Sequence, residues 1–367
     1  MLNGTAIRCY PNGCYREGRS PRSSDIAIFQ IDPLRDPRWS SLVERSVGSC
    51  VFHTREWLKA LQQAFRYEPL VFTTSRPEDE LRNGLPFCGV RSWITGNRLV
   101  SLPFSDHCEP LGSDREVREL LRAVTGKADS RVRYVEVRPL AREVPEPFLE
   151  SEAFWLHRLD LRPDVPDLYR RLHKSSIQRN IRRAQRLGVR VEQGREEHHL
   201  EQFYKLFVLT RRRFHIPPHP IRWLRALVSC LGEKMQIWVA SHDNCPVAAM
   251  ITLRHNRVVT YKYGASDSQF HSLGAVSLLF WTAIVQAKLS GAQEFDFGRT
   301  AVENKGLATF KKRWGSEASE LLYWRYGELS QHKWESRPAI THLKRCFEYL
   351  PDTVLIGVGN LLYRHIG

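Results

Sequence analysis

The strongest chemical signal in the sequence is a cationic run between residues 170 and 190, which contains eight arginines and lysines and no acidic residue. On a helix, residues three and four positions apart are neighbours, so Arg179, Arg182, Arg183 and Arg186 share one face. Guanidinium groups suit bidentate contacts to phosphate. We interpret this face as an anion-binding surface, with a solvated cationic face as the alternative.

Two further segments combine charge with aromatic rings. The segment 296–300 follows a predicted strand and contains Asp296 and Arg299, either as part of a site or as an ion pair that closes a turn. In the segment 310–315, Phe310 and Lys311 begin an alternation of aromatic and cationic residues that suits stacking and phosphate contact. The alternative for its aromatic residues is a place in the core.

A fourth candidate is the loop 101–110, which follows a predicted strand. Asp106 and His107 are a candidate pair for positioning or deprotonating an amine. The neighbouring thiol of Cys108 carries no sign of activation in the sequence. The spacing of His215 and His219 lacks a third ligand, so no metal site is predicted.

The elements that must position these residues predict an α/β chain of two domains. Helical periodicity marks 54–66, 113–125, 175–187, 196–214, 221–231, 274–289 and 304–313. Strand patterns mark 70–74, 84–90, 99–103, 133–137, 189–192, 236–241, 247–253, 258–263, 294–297 and 321–326. We predict a disordered extension over 1–25, domains over 26–150 and 151–330, and a tail with an apolar segment over 331–367.

Composition narrows the classes of function. The formal net charge of +15 favours an anionic partner such as a nucleic acid, a phosphorylated cofactor or an anionic membrane surface. The longest charge-free apolar stretch, 272–287, is shorter than the roughly 20 residues of a membrane-spanning helix. The N-terminus has no hydrophobic signal core, and the eight cysteines form no CxxC pair. These features predict a reduced, cytoplasmic protein.

Several strings resemble the Fem-type branch of the GNAT acyltransferases, and more narrowly FemAB-like enzymes of bacterial exopolysaccharide loci. They are RNIRRAQRLGVRV, LTRRRFHIPPHP, YKYGASD, FDFGRT and GLATFKKRWG, with SLPFSDHCEPLG and HTREWL in the first half. The resemblance implies two GNAT-like domains with mixed sheets around a shared cleft. It also implies transfer of an acyl or aminoacyl group, from acyl-CoA such as acetyl-CoA or from aminoacyl-tRNA, to an amine of a cell-envelope or exopolysaccharide precursor.

The resemblance, whose Phe-Lys pair matches Phe310 and Lys311, implies that Lys311 contacts the charged donor or steadies the oxyanion, and the residue types suggest roles for the other candidates. Lys311 and Arg299 would stabilise developing negative charge and Phe310 would stack on the donor, while Asp106 and His107 would orient or deprotonate the acceptor. The remaining assignments are Tyr263 and Asp296 as substrate contacts, Gly274 and Ala275 at the helix start that faces the donor, and Arg179, Arg182, Arg183 and Arg186 on donor phosphates. Replacing Lys311 with Ala is then expected to cut turnover and leave folding intact.

The expected partners are tRNA and a small-molecule or lipid-linked saccharide or amine acceptor, with no DNA and no metal. Contact with the inner face of the plasma membrane is part of this expectation. Two other classes of function stay open. One is a non-catalytic RNA-binding protein that retains the fold, and the other is a membrane-surface scaffold that uses the apolar tail 353–363 with the basic face.

Overall fold

The computed structural model describes residues 7–10, 13–16, 27–127, 132–140, 143–328 and 347–367. It divides the chain into two compact units. The first comprises Met1–Glu152, Leu321–Leu329 and Arg364–Gly367, and the second comprises Ala153–Glu320 and Ser330–Tyr363.

The first unit begins with a hairpin inside the segment for which the sequence predicts disorder. Its strands β1 (Ile7–Tyr10) and β2 (Gly13–Arg16) pair in antiparallel register. A two-residue connection lets such strands satisfy each other's backbone groups. The other residues of 1–25 lie outside the described residues.

The first unit is a sheet with helices. Its strands are β3 (Phe29–Ile31), β4 (Glu68–Thr73), β5 (Leu85–Val90), β6 (Asn97–Val100), β7 (Val132–Val137) and the end of β14 (Glu317–Gly327), in that spatial order. Its helices are α1 (Pro37–Arg45), α2 (Arg55–Phe65) and α3 (Asp114–Lys127). Only β6 and β7 pair in parallel among these strands, which requires the crossover that contains α3.

The second unit contains the remaining elements. Its strands are β8 (Leu149–Asp160, from Ala153 onward), β9 (Arg190–Gly194), β10 (Met235–His242), β11 (Cys245–His255), β12 (Val258–Ser266) and β13 (Glu294–Ala301). Its helices are α4 (Val165–Arg171), α5 (Arg179–Arg186), α6 (Glu197–Arg213), α7 (Ile221–Leu231), α8 (Ala275–Leu289), α9 (Lys305–Lys312) and α10 (Asp352–Ile366, to Tyr363). The spatial order of the strands is β8-β13-β12-β11-β10-β9.

The two units repeat one topology. In each, an edge strand leads through two helices into an antiparallel meander of three strands, which a helix then connects to a parallel fourth strand. The parallel pairs are β6–β7 through α3 and β12–β13 through α8. A sixth strand then pairs in antiparallel orientation with this last strand. It is β14 beside β7 in the first unit and β8 beside β13 in the second. The structure therefore contains a duplication that has no obvious counterpart in the sequence.

Local sequence explains the elements that carry the candidate residues. The α8 helix is apolar around most of its surface, and Leu279, Ala283 and Ile284 lie in the core of the second unit. The α5 helix buries Ile181 and Ala184 in the same core and turns its arginines outward, as its pattern predicts. The apolar segment predicted in the tail forms most of α10.

Candidate functional site

The β13 strand carries a bulge where the sequence predicts that the strand ends. Asp296 pairs with Arg158 of β8, and Arg299 pairs with Leu156. Two β13 residues, 297 and 298, therefore lie opposite a single β8 residue, His157. Gly298 has φ of +69°, the left-handed conformation that a glycine adopts in such a bulge. The predicted end at residue 297 is therefore wrong: the glycine lets the strand bend and continue to Ala301.

Asp296 holds the bulge in shape. Its carboxylate accepts the backbone N–H of Gly298 at 2.7 Å, and its side chain is 1% exposed. The structure thus gives Asp296 a positioning contact within β13. Its predicted contact with substrate stays a prediction.

Lys311 of α9, the helix that follows β13, reaches back to the same bulge. Its ammonium donates to the carbonyl oxygens of Gly298 at 2.8 Å and Arg299 at 3.1 Å. The residue is only 2% exposed. The bulge therefore directs two backbone dipoles at one buried cation, which is a strong form of hydrogen bond.

This burial adds a cost in stability to the expected effect of replacing Lys311 with Ala. The change removes the donor to the carbonyls of Gly298 and Arg299. A buried acceptor that loses its partner costs about 1–3 kcal/mol. Tests of Lys311 must therefore measure stability together with activity.

His157 of β8 completes the cluster, and the sequence analysis did not identify it. It is fully buried, and neither ring nitrogen has a hydrogen-bond partner among the described residues. Burial and the positive charges of Lys311 and Lys312 lower the pKa of His157 to about 4, while Asp296 opposes the shift. The ring is therefore neutral at pH 7 and adds no charge beside Lys311.

The other predicted residues near the bulge have different surroundings. Arg299 is half-buried, and its guanidinium lies over the ring of Phe154 with 4.4 Å to the centroid. Phe310 packs edge-on against Phe280 and Trp314, at centroid distances of 5.6 and 6.1 Å. Phe310 is thus at the margin of the core, the alternative that the sequence left open, and its stacking on a donor stays a prediction.

The arginine face of α5 is exposed. All four of its arginines are exposed, and Arg182 alone among them has described side-chain contacts. Arg182 donates to the hydroxyl of Tyr169 at 3.2 Å and lies over its ring. Arg179, Arg183 and Arg186 make no ion pair with the described residues, so their charges are available to an external anion.

The N-terminus of α8 packs directly on α5. Gly274 caps α8 with φ of +79°, and a Cβ at this position would lie 2.5 Å from the carbonyl oxygen of Asn180. Only glycine fits here, on both counts. Gly274 thus brings the first-turn amides of α8, which begin at the buried Ala275, next to the arginine helix.

The remaining predicted residues lie elsewhere. Tyr263 of β12 is nearly buried, and its hydroxyl accepts the indole N–H of Trp223 at 2.9 Å. Asp106 and His107 belong to the first unit. The backbone carbonyl of Asp106 accepts the hydroxyl of Tyr323 at 2.6 Å, and His107 is buried. The substrate roles of these three residues stay predictions.

Comparison with protein families identifies the second unit. Residues 171–312 match the family model described as the acetyltransferase (GNAT) domain. This segment is a GNAT domain. It contains α5, the start of α8, the β13 bulge and Lys311, so most of the geometry described above lies inside it.

Individual relatives agree with this assignment. A UDP-N-acetylmuramoylpentapeptide-lysine N(6)-alanyltransferase of Weissella viridescens is 27% identical over 96 residues, which are 26% of this chain. The match spans about three tenths of that enzyme, 29% of its length. The resemblance of the motifs to Fem-type acyltransferases of the GNAT superfamily is confirmed.

Solved structures extend the likeness over most of the chain. A crystal structure of FemX superposes with a TM-score of 0.60 at 12% identity, covering 77% of this chain and 94% of that one. A tandem GNAT protein from the clavulanic acid biosynthesis pathway gives a TM-score of 0.50 at 13% identity, covering 79% and 93%. At these identities the likeness shows the fold alone. It confirms the predicted α/β class with two GNAT-like domains and mixed sheets.

The sequence analysis missed His157 because it predicted no strand where the structure has β8. The sequence analysis places a domain boundary between residues 150 and 151 and assigns no strand across it. The apolar residues Phe154, Leu156 and Leu159 lie along β8. Its lone histidine, just before the GNAT domain, was the available signal.

Proposed function

We propose that the protein is an acyltransferase that moves an acyl or aminoacyl group to an amine of a cell-envelope or exopolysaccharide precursor. The observation that carries the proposal is the buried ammonium of Lys311, held on two carbonyls of the β13 bulge inside a GNAT domain. A fixed cation in a dry site stabilises negative charge far better than one in water.

The proposed reaction needs no covalent enzyme intermediate. The acceptor amine attacks the carbonyl carbon of the donor ester or thioester, and the carbonyl oxygen becomes an oxyanion. Lys311 supplies a fixed positive potential from within the unit, and the more accessible Arg299 contacts the oxyanion. The oxyanion then collapses, the C–O or C–S bond breaks, and the proton that the amine loses ends on the leaving oxygen or sulfur.

Three residues complete the proposed chemistry. Asp106 and His107 orient the acceptor amine or take its proton, and Tyr263 contacts the substrate. These roles rest on the Fem-type resemblance and on the residue types. In the second unit, Asp296 and His157 act through Lys311, because one shapes the bulge and the other stays neutral beside the ammonium.

We propose aminoacyl-tRNA as the donor. Three observations support this choice: the four exposed arginines of α5, the net charge of +15, and the alanyltransferase activity for which the Weissella relative is named. A long anionic polymer engages a helical row of arginines better than a single pyrophosphate does. His271, three residues before the α8 cap Gly274, also favours aminoacyl-tRNA, because CoA-dependent GNAT enzymes carry Arg or Gln at that position.

Acyl-CoA is the second candidate donor, and the start of α8 favours it. First-turn backbone N–H groups have no partner within their own helix and attract phosphate. The cap at Gly274 and the amide of Ala275 provide such a terminus, packed beside α5. The residues present therefore fit a pyrophosphate as well. Only one glycine, Gly274, stands where CoA-dependent GNAT enzymes carry Gly-x-Gly or Gly-x-Ala.

A calorimetric titration distinguishes the donors and tests the proposal. The protein is titrated with bulk aminoacyl-tRNA and, separately, with acetyl-CoA, each at two salt concentrations. We expect tRNA binding that weakens steeply with salt and that the double variant R183A/R186A reduces. Stoichiometric binding of acetyl-CoA alone would assign the thioester donor instead. Binding of neither donor contradicts the proposed function.

A control variant separates charge at the arginine face from charge in general. Arg190 lies just beyond α5 at the start of β9 and is also exposed. R190A removes one positive charge close by but off the α5 face, and the single variant R183A removes one charge on that face. We expect R190A to retain more of the tRNA affinity than R183A does.

A further inference from the structure

A second cluster of reactive side chains lies in the first unit, outside the GNAT domain, and of its members only His107 also has a role in the proposed reaction. It consists of two thiols and two imidazoles, from Cys50, His53, His107 and Cys108. His53 and Cys108 are fully buried and His107 is 4% exposed, whereas Cys50 is partly exposed to solvent. Cys50 precedes and His53 ends one short 3₁₀ turn, Val51–His53, just before α2.

The hydrogen bonds of His53 define its tautomer. Its Nε2 lies 2.7 Å from the backbone carbonyl oxygen of Glu109. A carbonyl only accepts, so Nε2 carries a proton. In the neutral ring Nδ1 therefore has the lone pair, and its nitrogen lies 3.2 Å from the Sγ of Cys50 and 3.1 Å from the backbone nitrogen of Cys50.

This arrangement has the three parts of an activated nucleophile. The thiol of Cys50 is the nucleophile, Nδ1 of His53 is a base within hydrogen-bond reach, and the carbonyl of Glu109 orients the base. The nucleophile is also the one member of the cluster that is partly exposed. A buried structural cysteine would need neither the base nor the exposure.

We propose that Cys50 is a nucleophilic thiol, activated by His53, that exchanges with low-molecular-weight disulfides to form a reversible mixed disulfide. In this step Nδ1 of His53 takes the proton of the Cys50 thiol. The thiolate attacks one sulfur of the disulfide, a new S–S bond forms and the original S–S bond breaks. The leaving thiolate takes the proton from the imidazolium, so atoms and charge balance.

Electrostatics favour the same step. Burial raises the pKa of the Cys50 thiol, but the imidazoles of His53 and His107 outweigh it and lower the pKa to about 5. Burial lowers the pKa of His53, whereas Cys108 and Cys50 raise it well above its usual range. The titratable groups that face Cys50 are thus the two histidines, with Cys108 across the His53 ring.

Geometry excludes two other uses of the cluster. The thiols contact different nitrogens of one ring, since Cys108 Sγ lies 3.4 Å from Nε2, so the lone pairs do not converge on one metal ion. The backbone N–H of Cys50 is already engaged by Nδ1 and is not available as an oxyanion donor. Exchange at sulfur develops no oxyanion, so it fits this site better than acyl transfer does.

Alkylation kinetics test the proposal without any substitution. The reduced full-length protein is treated with iodoacetamide at pH 6, and each cysteine is followed by peptide mass spectrometry. The exposed Cys245 serves as a reference in the same chain. An ordinary thiol has about 0.3% thiolate at this pH, whereas Cys50 is mostly thiolate. Because the Cys50 thiolate is less basic, it is also about 40-fold less nucleophilic than an ordinary thiolate. We therefore expect Cys50 to react about tenfold faster than Cys245.

Incubation with glutathione disulfide then tests the product. We expect one glutathione on Cys50, removable by dithiothreitol, absent in C50S and retained in C245S. H53Q, checked for folding by circular dichroism, should slow the modification. Equal alkylation of Cys50 and Cys245 would overturn the proposal. A disulfide between Cys50 and Cys108 in place of the adduct would overturn it as well.

Discussion

Replacing Lys311 by methionine removes the buried ammonium while keeping an unbranched side chain of similar length. The change leaves the carbonyls of Gly298 and Arg299 without a donor, at about 1–3 kcal/mol each. The methionine recovers part of this cost by burying apolar surface. We expect a net loss of about 2 kcal/mol in the free energy of unfolding, measured by urea denaturation.

The same variant should change a second observable, the pKa of His157. Burial and the charge of Lys311 hold this pKa at about 4. Without the ammonium, the pKa should rise toward its usual range, measured from imidazole chemical shifts across a pH titration. This readout reports the local electrostatics even if activity has not been reconstituted.

Lys312 provides the matched control. It is the next residue along α9 and is exposed, and it contributes less than Lys311 to the shift of His157. K312M should change stability by less than about 0.5 kcal/mol and raise the pKa of His157 less than K311M does. Equal stability of K311M and wild type, or an unchanged His157 pKa in K311M, would refute the geometry on which the site is built.

Three further predictions concern packing and pH. Gly274→Ala should lower the free energy of unfolding by about 2–4 kcal/mol, because of its positive φ and the nearby carbonyl of Asn180. The control Gly291→Ala, with φ of +85° and no neighbour within 4 Å, should lower it by only about 1 kcal/mol, both measured by urea denaturation. His157 binds its proton more readily unfolded than folded, so it should remove up to about 3 kcal/mol of stability between pH 6.5 and 4, and H157Q should show a shallower loss than wild type. Glu136→Gln breaks a buried carboxylate's pairs with two arginines and should lower the unfolding free energy by about 3–5 kcal/mol in the same assay; a loss below 1 kcal/mol would contradict that burial.

Periodicity predicted most elements because their buried faces are regular. The helix predicted over 54–66 begins directly after Thr54, whose side chain accepts the N–H of Trp57 as an N-cap. The arginine face of α5 is exposed and its apolar stripe is buried, as the spacing requires. These features depend on neighbours a few residues away, so a sequence contains them directly.

The site itself was harder to predict because it depends on register. The pairing of β8 with β13 determines which residue faces the bulge, and no local pattern contains that pairing. The same holds for Lys311, whose burial follows from carbonyls that lie about a dozen residues earlier in the chain. His157 and the contact between Cys50 and His53 also became visible only once the structure defined distances.

No helix among the described residues is both long enough and apolar enough to cross a membrane. The expectation that the protein contacts the inner face of the plasma membrane stays a prediction. Vesicle flotation of the full chain, with and without substitution of the exposed Leu361 on α10, addresses it.

The most direct test of the central claim is an acyl-transfer assay with wild type and K311M. Each protein is incubated with labelled aminoacyl-tRNA or acetyl-CoA and with amine acceptors, including UDP-N-acetylmuramoyl pentapeptide and amino sugars, and the products are read by mass spectrometry. We predict transfer by wild type and a loss of at least about a hundredfold in K311M, with donor affinity retained. Donor binding with no acyl group moved to any amine, or full activity in K311M, would contradict the account.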